Sequence, residues 1–529
     1  MAKSILSGKK LREKLLSGVE QLAGPVTATM GPRGRNIGIE KMFIENTILH
    51  DGVSVAREII LPDSFENFSA QVVRQVAEKT VTSCGDGTSS STLLSHEIIK
   101  EGFKLVDGGT NPMGLKNGLQ KAGDFIVSEL KKEAKTIGSF EEIKQIATIS
   151  SADEKIGETI AKAIEKVGKY GVVSVAESSR LEMEVEYKMG MEYDKGYISP
   201  MFCNPGEDEV NLVGPNILVT DHVISNAHDM SHILEKIIAK DNRAEVVIVA
   251  SDITGSALST LIINKERGGV DPVGIFAPGF AQKRTELLKD LAICVGATFI
   301  SKDKQMKLDD PNIADWVGSA QSVWADKGRV KFIGGNADKE KIVLRANLIK
   351  EQMEKEESEY EKQQLRERLA RLTGGAAVIK VGATTELEMK ETKERVIDAV
   401  EASKSAMEQG IVAGGGVALF QLRDKLKEFI DKNLKGEELL GANILLQTLS
   451  APINKIISNA GLDSEEIIGK IKEKNTGFDV ATMKYGNMFE MGVIDPVKVT
   501  INAVSNSISI ASLLITTEFV ICDIPEKKI

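Results

Sequence analysis

Gly85-Asp86-Gly87-Thr88-Ser89-Ser90-Ser91-Thr92 sets two glycines around a carboxylate and follows them with five consecutive hydroxyl residues that lead into an apolar run. Glycines let backbone N–H groups approach an anion, hydroxyls at a helix start add donors aligned with the helix dipole, and one acid can hold Mg²⁺ against phosphates. The same residues also suit an N-capped helix after a glycine turn. No G-x-x-x-x-G-K-[ST] occurs in the chain, so a nucleotide bound here is bound without a Walker lysine.

The 529 residues are 42% hydrophobic and 27% charged, which describes a globular chain of about three or four domains. A net charge of −10 argues against a nucleic-acid partner, which calls for a concentrated basic face. The start, Met1-Ala2-Lys3-Ser4-Ile5, lacks a following apolar region, and Glu13 and Glu20 argue against a transit peptide, so the expected location is cytoplasmic. Ser507 to Thr517 is too short and too rich in hydroxyls to span a bilayer; it reads as a buried helix, with no membrane partner. Cys84, Cys203, Cys294 and Cys522 are scattered and read as reduced thiols. His228 and His232 share one helical face, but Asp229 stands where a zinc-protease helix has Glu and no third ligand is signalled.

Leu11, Leu15, Val19, Leu22 and Val26 recur at helical spacing before Thr29-Met30-Gly31-Pro32-Arg33-Gly34-Arg35-Asn36 stops the helix. Alternation through Ile37, Ile39 and Phe43, a break at Glu45-Asn46, and Thr47-Ile48-Leu49 predict a hairpin that delivers His50-Asp51-Gly52. Asp51 there is a turn former or a second acid aimed at the same phosphates.

Residues 170–330 carry short β-branched runs, such as Val172–Val175 and Val246–Val249, alternating with helical patterns, which predicts a separately folded α/β unit. Two of its helices are greasy: Met230, Ile233, Leu234, Ile237 and Ile238 in one, and Leu258, Leu261, Ile262 and Ile263 in the other. They are core helices, or they form an exposed groove that binds something. Residues 338–372 are dense in charge and predict a long helix or helical hairpin. A strand over Ala377–Gly382, a helical pattern around Arg395–Ala399 with Asp398, and the cluster Ala413-Gly414-Gly415-Gly416 follow.

Together with Asp51–Glu58, Asn111-Pro112-Met113, Val412–Leu419, Tyr485–Met488 and Asp495-Pro496, these motifs occur in one order. On them the chain resembles a group I chaperonin of the GroEL type over essentially its whole length. The resemblance implies a multidomain α and α/β fold: a mostly helical equatorial ATPase domain (1–132 and 408–529), a small α/β intermediate domain (133–188 and 375–407) and an α/β apical domain (189–374). It implies an ATP-dependent machine that captures non-native polypeptides and folds them in a chamber. Its partners would be a GroES-type co-chaperonin and copies of itself, in a homo-oligomeric ring of seven subunits.

Carried over residue by residue, the resemblance implies ATP with Mg²⁺, and K⁺ as a further ion. Thr29, Met30, Gly31 and Pro32 would line the pocket, with Asp86, Gly87, Thr88, Ser89 and Ser90 around the phosphates and Asp86 on Mg²⁺. Asp51 would sit by the γ-phosphate, Asp398 would orient the attacking water, and Ile149 and Ser150 would help close the site. Adenosine would rest against Gly414, Gly415, Asp479, Val480, Ala481, Ile494 and Asp495. Such roles suit phosphoryl transfer, which needs positioning and charge neutralisation around an in-line water.

The implied client-binding set is Tyr197, Met201, Phe202, Leu234, Leu258, Ile262 and Ile263, on the helices at 230–238 and 255–266 and the segment before them. Met201 stands where the family has Tyr, and Ser231 where it has Leu. Asn454 and Asp463 replace an Arg and a Glu of the ring–ring contact, and the chain ends Pro525-Glu526-Lys527-Lys528-Ile529 instead of in a Gly-Gly-Met tail. His50 stands where the family has a lysine; at the phosphates it would make ATP affinity or turnover pH-dependent between about 6 and 8. A chaperonin-like binding protein with reduced ATPase, single-ringed or independent of a cap, is the alternative. A small-molecule kinase is disfavoured, since no acceptor-substrate site is signalled.

Overall fold

The computed structural model describes residues 3–40, 47–168, 171–178, 180, 183–188, 190–241 and 245–523. The backbone divides into two compact units, one built from Met1–Ala161 with Glu394–Ile529 and the other from Lys162–Lys393. The first is therefore closed by both ends of the chain, and the second is a single continuous insertion.

The first unit is mainly helical. Its helix Gly8–Ala28 buries Leu11, Leu15, Val19, Leu22 and Val26, the stripe expected from their spacing. Helices Ser64–Cys84, Thr88–Asp107 and Pro112–Glu133 pack around the strongly apolar helix Val497–Ile515. That last helix is long and apolar enough by composition to cross a bilayer. Its Ile501, Val504, Ile508, Ala511 and Leu514 are buried in the helical core, and this packing accounts for its composition. Strand Lys3–Ser7 pairs antiparallel with Phe519–Asp523, stitching the two ends together. The expected hairpin is present as Ile37–Ile39 paired with Thr47–Leu49; its Phe43, Glu45 and Asn46 lie outside the described residues, as do Pro525–Ile529.

The second unit is α/β. Its four-stranded sheet runs Asp271–Phe276, Glu245–Ala250, Asn216–Val219, Gly318–Ser319; the first three strands are parallel and the last is antiparallel. Val246 to Ala250 are buried without alternation because this central strand is covered on both faces. A second, antiparallel sheet holds Gly190–Tyr193, Val330–Ile333, Ser322–Ala325 and Val210–Val213. Ala376–Val381 lies between Val172–Glu177, parallel, and Glu184–Lys188, antiparallel. The charged stretch at 338–372 is a hairpin of helices Lys339–Lys355 and Glu359–Gly374, with Ile342, Ala346, Ile349 and Leu372 buried beneath it.

Candidate functional site

The phosphate-type loop folds as the start of helix Thr88–Asp107. Its N-cap is Gly87 at φ +95°, preceded by Gly85 at φ +74°, both in the left-handed region that a side chain disfavours. No side chain caps this helix and its first turn holds no acid. The N–H groups of Thr88, Ser89 and Ser90 therefore have no partner within the helix, as the first turn of any helix leaves them, and the dipole points the same way. Thr88 is buried, while Ser89 and Ser90 are part-exposed. An uncapped, hydroxyl-lined helix start of this kind is fitted to an anion.

Three acids converge on it. Asp51 is the N-cap of the short helix Gly52–Glu58 and accepts the Ser54 N–H at 2.9 Å. It is thus both a local cap and an exposed carboxylate, and Gly52 sits so close to Ser89 that a Cβ there would fall 2.5 Å from its Oγ. Asp86 accepts the N–H of Gly87 at 2.5 Å. The residue as a whole is exposed, yet the protein crowds around its carboxyl; burial, with the charge of Asp51, raises its pKa against the pull of that N–H. Asp398, on helix Glu386–Gln409, is pushed up to about 9 by burial first and then by the charges of Asp51, Asp86, Glu394 and Glu401. Burial and the neighbouring carboxyl charges both disfavour the ionised acids, and a positive charge placed among them would favour ionisation. Among the described residues no three His, Cys, Asp or Glu side chains are grouped so as to hold a metal ion by themselves.

The turn after helix Gly8–Ala28 meets the same helix start. Thr29 donates its hydroxyl to Val26 O at 2.8 Å and lies 3.4 Å from the Ser89 hydroxyl; Met30 is buried, and Gly31 and Pro32 are exposed. His50, exposed, directs Nδ1 to the side-chain oxygen of Asn36 at the end of this turn. Ile149 and Ser150 occupy the last turn of helix Phe140–Ser151, and that turn is held to the Asp398 helix by Arg395, which donates from Nε to Ser151 O at 2.8 Å.

The second glycine cluster is brought in by strand pairing. Ile411–Ala413 pairs antiparallel with Ile494–Pro496, setting Val412 opposite Asp495 and Ala413 opposite Ile494. A Cβ on Gly414 would fall 3.0 Å from Asp495 Oδ1, and one on Gly415 3.2 Å from Met488 Cε. Asp495 is pushed up to about 7 by burial and then by Asp86. Val480 is buried with Ala413, Val417 and Met488, and Asp479 caps the turn by accepting the Ala481 N–H at 2.9 Å. Val499, four residues beyond Asp495, packs on Gly87, where a Cβ would meet it at 2.9 Å. The two glycine clusters, far apart in sequence, are thereby neighbours.

The sequence does not reveal the roles of Arg395, of Val499, or of Asn459, whose side-chain amide donates to Thr27 O and Met30 O. None carries a motif of its own; only Val499 had a cue, in lying three residues beyond the Asp495-Pro496 pair.

The residues expected to bind clients differ in exposure. Phe202 has no exposed surface, Leu234 is 4% exposed and Tyr197 7%; all three belong to the hydrophobic core of the second unit. Helix Ala227–Lys240 has one apolar stripe, and the sheet consumes it, so Met230, Ile233, Leu234 and Ile237 point inward. Of the seven residues, Met201 (58%) and Ile263 (45%) are well exposed, and Leu258 and Ile262, on the same helix as Ile263, are half-buried. His232 directs Nε2 to Asp310 O at 3.1 Å. Cys203, Cys294 and Cys522 are free thiols, as expected. Asp463 caps helix Ser464–Ile468 by accepting the Glu465 N–H at 2.9 Å.

The pattern of the TCP-1/cpn60 chaperonin family matches residues 22–525. Among solved structures, the chain is similar to the chaperonin gp146 from bacteriophage EL 2 (Pseudomonas aeruginosa), crystallised in the presence of ATP-BeFx. Crystal form II superposes with a TM-score of 0.74, at 21% identity, over 98% of this chain and 99% of that one. Crystal form I gives 0.65 at the same identity and coverage. With a shared fold over the full length and a family match over nearly all of it, the chain belongs to the TCP-1/cpn60 chaperonin family.

Proposed function

We propose that this chaperonin is a GroEL-type, ATP-driven folding machine, and that the site around the Thr88 helix start is its nucleotide pocket. The observation that carries this reading is the convergence of Asp51, Asp86 and Asp398 on an uncapped, hydroxyl-lined helix N-terminus. The crystals of gp146 grown with ATP-BeFx add support from a protein of the same fold. Bound Mg²⁺ would neutralise phosphate charge, held to the protein by Asp86. Thr88, Ser89 and Ser90 would bind phosphate oxygens, Asp51 would flank the γ-phosphate, and Asp398 would orient the attacking water. Thr29 to Pro32, Ile149 and Ser150 would close the pocket, and Gly414, Gly415, Asp479, Val480, Ala481, Ile494 and Asp495 would seat adenosine. K⁺ is proposed as a further ion, and His50 as a contact near the phosphates whose replacement by lysine flattens the pH dependence of turnover.

In the same reading, the first unit comprises an equatorial domain and part of an intermediate one, and the second unit carries the apical domain. Subunits assemble in a cytoplasmic ring of seven that closes with a GroES-type cap. A second reading, a chaperonin with weakened, cap-independent client binding, draws on the burial of Tyr197, Phe202 and Leu234, which reduces the exposed apolar set.

Asp398→Ala and Asp86→Ala separate the roles. Loss of the water-orienting acid should slow turnover about 100-fold or more with ATP affinity nearly intact, because that group acts in the transition state. Loss of Asp86 should weaken Mg-ATP binding itself. An equal loss of affinity in both variants overturns the assignment. Negatively stained particles imaged with and without ATP test the ring.

A further inference from the structure

Asn459 closes the helix Ala451–Asn459, and its Nδ2 donates to two main-chain carbonyls, Thr27 O at 3.0 Å and Met30 O at 2.9 Å, across 432 and 429 residues of chain. Both partners are acceptors, so the nitrogen must be the atom that faces them, with one N–H for each. These carbonyls belong to the unwinding end of helix Gly8–Ala28, where Thr29 to Pro32 begin. One turn earlier on the same short helix, Ile456 lies against Gly31, with its Cγ2 3.1 Å from where a Cβ would stand. The helix also carries Ile453 and Ile457, buried with Ala413, Val417, Val480 and Met488, and the Ile453 nitrogen lies 2.6 Å from the Cβ position of Gly416. It is a strut with one contact on the Thr29 turn and the other on the Gly414 cluster.

We propose that Asn459 is a positioning residue for nucleotide binding: its amide fixes the Thr29–Pro32 turn at a set distance from the glycine cluster and so sets the width of the pocket. The proposal rests on the nucleotide reading of the site. A hydroxyl replaces only one of the two hydrogen bonds, and a carboxylate turns negative charge onto two carbonyl oxygens. Since binding and phosphoryl transfer depend on position, a loosened turn is felt as lost affinity for ATP.

The test is steady-state ATPase and fluorescent-nucleotide binding on assembled full-length protein for wild type, Asn459→Ser, Asn459→Ala and Asn459→Asp, with Ser458→Ala as the neighbouring control. The expected order of KM for ATP is wild type, Ser, Ala, Asp, with Ala raised about tenfold, kcat within about twofold, and the control unchanged, as two lost hydrogen bonds predict. Should Asn459→Ala fail to assemble, Asn459→Ser still reports, with KM raised about threefold. An unchanged KM in a variant that melts earlier makes the residue merely structural and overturns the proposal alone. Wild-type protein that neither binds nor hydrolyses ATP overturns both the proposal and the nucleotide reading.

Discussion

Gly85 lies against the backbone of Asp398, so closely that a methyl group on it would fall 3.0 Å from that residue's carbonyl oxygen and 2.4 Å from the Cβ of Glu401. The loop that begins the proposed phosphate site and the helix that carries the third acid are thus in backbone contact, and any side chain at residue 85 must part them.

Gly85→Ala should therefore act on turnover more than on folding. The new methyl is strained twice, by φ +74° and by the contact, and a left-handed alanine alone costs about 1 kcal/mol. Relief comes from moving the Asp398 helix outward, and kcat should fall at least about tenfold, with ATP affinity changed less than about threefold, because displacement of a positioned group is felt mainly in the transition state. Single-turnover hydrolysis beside equilibrium binding checks this; undiminished hydrolysis at saturating ATP would show that the Asp398 position is not critical.

Protonation of the acid cluster gives a second prediction. Asp398, pushed up to about 9, and Asp495, pushed up to about 7, hold protons in the folded protein that the unfolded chain, with aspartates near about 3.9, has lost. A native state that binds more protons than the unfolded one loses stability as pH rises, here from about 4 up through about 9. Nucleotide-free protein should melt progressively earlier over that range, and Asp398→Asn should remove the part of the slope above pH 7. Binding of Mg-ATP favours the charged carboxylates, so it should release protons at pH 7.5, seen as a binding enthalpy that varies with the ionisation enthalpy of the buffer. A binding enthalpy independent of buffer would mean that these acids are already ionised.

Burial divides the expected client-binding residues into two behaviours. Phe202→Ala empties a fully buried site and should cost about 3–5 kcal/mol of stability, lowering Tm whatever it does to clients. Ile263→Glu changes an exposed position and should leave Tm within a degree or two, since such substitutions usually stay within about 0.5 kcal/mol. It should still abolish suppression of a denatured client's aggregation, because a carboxylate placed in an apolar contact must be desolvated. Normal suppression by both Ile263→Glu and Met201→Glu would move the capture surface elsewhere.

Local chemistry explains what could be read ahead of the structure and what could not. Leu11 to Val26 and the Gly85–Thr92 stretch were legible because helical spacing and a glycine–hydroxyl helix start are written within one segment. The Gly414 contact with Asp495 was reachable only through family resemblance, since it depends on pairing Ile411–Ala413 with a strand some eighty residues on. Core helix and exposed groove stayed open because one apolar stripe serves equally for both. Only the sheet beneath Leu234 decides, and it is assembled from strands on either side of that helix. Asn459 and Arg395 were invisible because their partners are backbone carbonyls, which no side-chain pattern reveals.

The second unit contains a buried ionic cluster whose response to acid can be worked out. Asp290, 1% exposed, accepts Arg345 Nε at 2.6 Å and Arg368 Nε at 2.9 Å; Glu286 accepts Arg345 at 2.7 Å and Lys289 at 2.7 Å. Together they pin the helical hairpin Lys339–Lys355 and Glu359–Gly374 to helix Ala281–Val295. Burial raises the Glu286 pKa, but the hydrogen bonds and charges of Lys289 and Arg345 outweigh it and bring it down to about 2. Its stabilising contribution is therefore complete above the ordinary glutamate pKa of about 4.3 and is lost as pH falls from there through about 2. Calorimetric scans between pH 2 and 6 should show the unfolding of this unit weakening in that window, and Glu286→Gln should flatten the weakening. Asp290→Ala is expected to be far more severe, about 3–5 kcal/mol, since it leaves the buried Arg368 and the part-buried Arg345 without their shared carboxylate. A loss below about 1 kcal/mol would mean that water enters and solvates the arginines, and that the hairpin is held by Ile342, Ala346 and Ile349 instead.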